Sequence, residues 1–79
     1  MTVKAFITCR LDGGDSTEII DTIKGFAETE ETWLMFGAWD LLIKAKFEDN
    51  ESLSSYVVDR IKTITGIGEV QTNVCADFC

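Results

Sequence analysis

The stretch Glu31-Thr32-Trp33-Leu34-Met35-Phe36-Gly37-Ala38-Trp39-Asp40-Leu41-Leu42-Ile43-Lys44-Ala45-Lys46-Phe47 decides the fold. Residues 31–36 are mostly strand formers, Gly37-Ala38-Trp39 interrupts them, and 40–47 resumes as a strand with Lys44 and Lys46 on one side. So short a connection joins two strands as an antiparallel hairpin. Upstream, Ile19, Ile20, Ile23, Phe26 and Ala27 recur at helical spacing behind Asp15-Ser16-Thr17-Glu18, a variant of the capping box. This predicts a helix from Ser16 to about Glu28. Before it, Val3 to Leu11 alternates, with Val3, Ala5, Ile7, Cys9 and Leu11 on one side, and Asp12-Gly13-Gly14 ends the strand. Downstream, the acids of Glu48-Asp49-Asn50-Glu51 suit a helix N-terminus. Leu53, Tyr56, Val57, Ile61 and Ile64 then predict a helix over about 51–64, a stripe that is core on any reading. Thr65-Gly66-Ile67-Gly68 terminates it, and Glu69 to Ala76 alternates as a closing strand.

The order strand, helix, strand, strand, helix, strand is two right-handed crossovers joined by a hairpin. It predicts an α+β, ferredoxin-like βαββαβ domain over residues 1–79, a four-stranded antiparallel sheet with both helices on one face. The other face carries Phe6, and the hairpin has apolar residues of both parities, which predicts a homodimer through sheet or hairpin. Size agrees, because below roughly 70–80 residues a single core rarely supplies more than about 3–5 kcal/mol.

Seven basic and fourteen acidic side chains give a net charge of −7. Such a chain is repelled by nucleic-acid phosphates and anionic membranes. It has no apolar run of membrane-spanning length and no leader pattern, so a cytoplasmic location is expected. Histidine is absent, which removes the commonest general base and metal ligand together. Three cysteines without a secretory signal predict free thiols rather than a disulfide framework.

The stretch 35–44 is also the first candidate site. Gly37 permits a turn or close ligand approach, Trp39 offers a flat apolar wall, and Asp40 sets a carboxylate beside it. Together they suit an amino acid, its ammonium on Asp40 and its carboxylate on loop N–H groups. The structural alternative is a packed hairpin whose Asp40 bonds turn amides. Cys75 and Cys79, with Asp77 between them, suit a soft metal such as copper or zinc, or a redox pair, yet the chain has no second ligand pair. A buried strand cysteine beside a frayed terminal one is the plainer reading. Gly13-Gly14 before a helix is a poor anion cradle, because Asp12 and Asp15 flank it. The acidic pairs read as solvated edges, and Trp33 as packing or interface.

With these residues in place, the chain resembles the ligand-binding domain of the leucine-responsive regulatory protein/AsnC (Lrp/AsnC) family, also called the RAM domain. The Gly-x-aromatic-Asp-aliphatic hairpin carries the resemblance, together with Val3-Lys4-Ala5-Phe6-Ile7 and the ending Thr65 to Val74. That ending is similar to the family's Pro-Gly-Val-x-x-Thr-x-Thr-x-x-Val, with Thr65 for the proline and Val70 for the first threonine. The resemblance implies a non-catalytic, amino-acid-sensing oligomerisation module without an added cofactor, acting on transcription regulation or amino-acid metabolism. It implies a homodimer assembling into a higher oligomer, with effectors between dimers. The implied effector contacts are Gly37, Ala38, Trp39 and Asp40, completed by Thr72 and Asn73. Ala38 is smaller than the polar residue often found there. With no helix-turn-helix ahead of the first strand, the chain resembles the stand-alone form, a possible partner for full-length regulators. The competing classes are a copper- or zinc-handling oligomer and a small dimeric α+β-barrel enzyme.

Overall fold

The computed structural model describes residues 2–13 and 15–75. Strand β1 (Val3–Leu11) is followed by helix α1 (Ser16–Lys24), β2 (Thr29–Leu34), β3 (Leu41–Phe47), α2 (Asn50–Ser55) and β4 (Ile67–Val74). The chain leaves α2 directly through a π-helical turn, Tyr56–Ile61. The sheet order is β2-β3-β1-β4 and every neighbouring pair is antiparallel. This is the ferredoxin-like arrangement expected from the element order.

Alternation assigns the faces. Val3, Ala5, Ile7 and Cys9 of β1, with Leu41, Ile43, Ala45 and Phe47 of β3, are buried against Ile19 and Ile23 of α1 and Leu53, Tyr56, Val57 and Ile61. Phe6 lies opposite Lys44 and Asn73, and Leu42 opposite Trp33, on the face the helices leave open. Trp33 is half exposed there, so the uncovered apolar face anticipated from Phe6 exists.

Several boundaries differ from the pattern reading. Helix α1 stops at Lys24 rather than near Glu28, because the Gly25 amide turns back onto Asp21 and Thr22 and Phe26 and Thr29 begin the next turn. Strand β2 therefore opens at Thr29 and ends at Leu34, two residues earlier than expected, with Met35 closing the hairpin onto the Asp40 carbonyl. β4 is shifted in the same sense, Ile67–Val74 rather than 69–76. The second helix is split, its last part a π turn. Both helices begin as their sequences specify. The Asp15 carboxylate accepts from the Thr17 and Glu18 amides, and Asp49 accepts from Ser52 at 2.7 Å. That bond from the Ser52 amide holds the Asp49 carboxyl below its ordinary range.

Gly66 shows why the end of α2's layer needs glycine. Its φ is +99°, and a Cβ there would stand 2.8 Å from the Gly13 carbonyl oxygen and 2.9 Å from Ile19 Cδ1. Its own carbonyl accepts the Asp12 amide at 2.6 Å, tying the exit of β1 to the entry of β4. Cys9 is a buried free thiol whose pKa burial pushes up to about 11, which makes it inert packing. Cys75 corrects the free-thiol expectation: it is disulfide-bonded. Cys79 and Ala76 lie outside the described residues, as does Gly14.

Candidate functional site

The hairpin of residues 35–40 projects at the end of the sheet where β1 leaves and β4 enters. The β1–β3 ladder stops at Cys9 opposite Leu41, so the Leu11 amide lies beyond the last rung. The Asp40 carboxylate takes it: Leu11 N–H donates to Asp40 Oδ2 at 2.9 Å, while the Asp40 amide donates to the Cys9 carbonyl at 3.0 Å. The structural alternative is therefore half right. Asp40 does bond a backbone amide, but that of a neighbouring strand rather than its own turn. Its second carboxylate oxygen has no hydrogen-bond partner among the described residues.

On the other side of β1 the register with β4 slips between Cys9 and Leu11, leaving Gly68 and Glu69 facing Arg10. Such a bulge redirects the side chains around it. Arg10 turns over the Trp39 ring, its guanidinium carbon 5.7 Å from the centroid, and holds no ion pair among the described residues. Arg10, Leu11, Asp12, Asp40, Gly68 and Glu69 enclose an open hollow of about 330 Å³, at the lower end of the range for small-molecule sites (about 300–1,000 Å³). A slightly larger hollow, about 360 Å³, lies beside α1, but its Asp15 is consumed as the helix cap.

The implied site residues do not all meet. Gly37, with φ +140°, and Ala38 are exposed at the hairpin, next to a fully exposed Phe36. Trp39 and Asp40 are half-buried at its base. Thr72 pairs with Ile7 and lines a separate hollow of about 250 Å³ with Leu53, Val57 and Val58. Asn73 pairs with Phe6 on the open face, its side chain donating to the Phe6 carbonyl and accepting from Gln71. No hollow among those described is lined by both the hairpin residues and Thr72 or Asn73. Sequence reasoning missed Arg10, Asp12 and Glu69. Alternation places Arg10 on the open face near the end of β1, but only the register slip opposite Gly68 and Glu69 brings the three together. Among the described residues no group of three Cys, Asp or Glu side chains is gathered to hold a metal ion, and no helix is long and apolar enough to cross a membrane.

Comparison with known proteins gives one family. Residues 4–77 match the model of the Lrp/AsnC ligand binding domain. An uncharacterized HTH-type transcriptional regulator of Pyrococcus horikoshii is 33% identical over 73 residues, covering 89% of this chain and 49% of the relative. The chain thus spans about half the length of the curated relatives it matches. In fold it is similar to AsnC of E. coli, with a TM-score of 0.89 at 21% identity over 96% of this chain and 52% of that one. It is likewise similar to a transcriptional regulator of Neisseria meningitidis solved as an L-Met complex, with a TM-score of 0.86 at 19% identity over 95% and 50% of the two chains.

Proposed function

Because this chain belongs to the Lrp/AsnC ligand-binding domain family, we propose that it is a non-catalytic effector-binding and oligomerisation module, with the hollow beneath the 37–40 hairpin as its amino-acid site. One observation carries the reading: Asp40 is fixed by the Leu11 amide, keeps one oxygen without a hydrogen-bond partner among the described residues, and lines a hollow together with Arg10. A pre-positioned carboxylate holds an ammonium without first losing side-chain freedom. The relative solved with L-Met supports the ligand class.

Assembly belongs to the same reading. Phe36 is fully exposed and Leu34 and Trp33 are about half exposed, with Phe6 and Leu42 on the uncovered sheet face. A second copy on that face gives the dimer. Thr72 and Asn73 share no described hollow with the hairpin of their own protomer, so in this reading they join the effector pocket across a contact between copies. The effector then acts by its differential affinity for two assemblies, in the cytoplasm, with full-length regulators of the family as candidate partners.

Calorimetric titration with the common L-amino acids, beside sedimentation with and without ligand, tests this. Binding by the wild type and its loss in Asp40→Asn, which keeps an acceptor for Leu11, are expected. Silence from every amino acid at millimolar concentration removes the sensor reading.

A further inference from the structure

The hollow contains one cationic side chain, Arg10, and three carboxylates, Asp12, Asp40 and Glu69. Its formal charge is therefore +1 − 3 = −2. These groups are not spent on each other. Among the described residues Arg10 stacks on Trp39 and forms no ion pair, while the one contact of the three carboxylates is the Leu11 amide on Asp40. Four opposed charges left unjoined at the rim of one small cavity make a pattern of receptors rather than a closed network.

From this arrangement we propose that the effector is a cationic amino acid, one carrying a second basic group in its side chain. The inference rests on the amino-acid reading of the site and deepens it. Arg10, held in place by the Trp39 ring, presents a planar fork matched to the α-carboxylate. The unpartnered oxygen of Asp40 takes the α-ammonium. Asp12 and Glu69, from the two strand ends that Gly66 ties together, receive the side-chain cation. A ligand of charge +1 lowers the residual charge of the hollow from −2 to −1. A neutral amino acid leaves it at −2, and an acidic one raises it to −3. Charge sets the preference, so the preference falls with ionic strength.

The test is calorimetric titration with L-lysine, L-leucine, L-glutamate and cadaverine, the last lacking a carboxylate, at low and high salt. L-lysine is expected to bind about tenfold or more tighter than L-leucine, with L-glutamate weakest. The double variant Asp12→Asn/Glu69→Gln, altered only at exposed side chains, is expected to bring the ratio of L-lysine to L-leucine affinity down towards one. Arg10→Gln should weaken L-lysine relative to cadaverine, which has no carboxylate to lose and meets a hollow one charge more negative. L-leucine or L-glutamate binding as tightly as L-lysine overturns the cationic class but leaves the amino-acid reading standing. Failure of all amino acids to bind ends both, and an unchanged preference in the double variant places the selectivity elsewhere.

Discussion

The two ends of the sheet are built from the same materials and finished differently. At the far end from the hairpin, Arg60 lies over the rings of Phe26 and Tyr56, at 5.4 and 5.8 Å, and donates to both oxygens of Glu28 at 2.9 and 3.1 Å. Tyr56 packs edge-on against Phe26 and Phe47, and its hydroxyl meets Thr29. At the hairpin end Arg10 lies over Trp39 in a hollow it shares with carboxylates, yet pairs with none among the described residues. An arginine, an aromatic wall and an acid therefore make a clasp in one place and an open receptor in the other. What separates them is the satisfaction of the charges. A bidentate pair leaves nothing to offer a ligand, whereas a stacked but unpaired guanidinium is oriented and still available.

The contrast is broken most severely at Tyr56, which is fully buried. Tyr56→Ala is expected to cost about 3–5 kcal/mol, comparable to the whole stability of a domain this size, and to appear as an unfolded chain by circular dichroism at room temperature. Tyr56→Phe keeps the rings and should cost only about 1 kcal/mol in urea unfolding. Next comes Gly66→Ala, which forces a side chain into a positive-φ site against the Gly13 carbonyl. About 2 kcal/mol is expected, with ligand binding weakened as well because the exits of β1 and β4 separate.

Smaller again is the Glu28–Arg60 pair, which is only partly shielded from water. Glu28→Gln should cost under about 1 kcal/mol, and its signature is pH dependence. Arg60's hydrogen bond holds the Glu28 carboxyl below its ordinary value in the folded state. The unfolded chain therefore takes up this proton first as pH falls. The pair's stabilisation is present above the ordinary glutamate pKa, about 4.3, and is lost as pH drops through the depressed folded value. Urea midpoints measured on either side of that window should fall more steeply for the wild type than for Glu28→Gln. Last in stability is Arg10→Gln, expected within about 0.5 kcal/mol of wild type while lowering affinity for L-lysine. A large stability loss there makes the hairpin end a second clasp.

The same contrast explains what the amino-acid order revealed. Alternation along Val3–Leu11 and Leu41–Phe47 fixes which side chains are buried, because period two admits one assignment once a face is covered. The glycine-bounded hairpin and both aspartate caps were legible for the same local reason. Helix ends were not. Phe26 and Ala27 continue the apolar spacing of α1, yet the Gly25 turn ends it, and residues 26–29 serve β2. The π turn at Tyr56–Ile61 adds a residue per turn without disturbing the tally of apolar positions. Arg10 escaped notice because its significance comes from register: only the slip between β1 and β4, with the hairpin alongside, assembles it with Asp12, Asp40 and Glu69. Thr72 and Asn73 were grouped with the hairpin by resemblance, and pairing with Ile7 and Phe6 keeps them apart within one protomer.

The most direct test of the account is to follow backbone amide resonances of the wild-type protein during titration with L-lysine. The account predicts shifts concentrated at residues 10–12, 37–40 and 68–69, with Glu28, Thr29 and the Tyr56–Ile61 turn unmoved. Shifts centred on Glu28 and Arg60, or none anywhere at millimolar L-lysine, would contradict it.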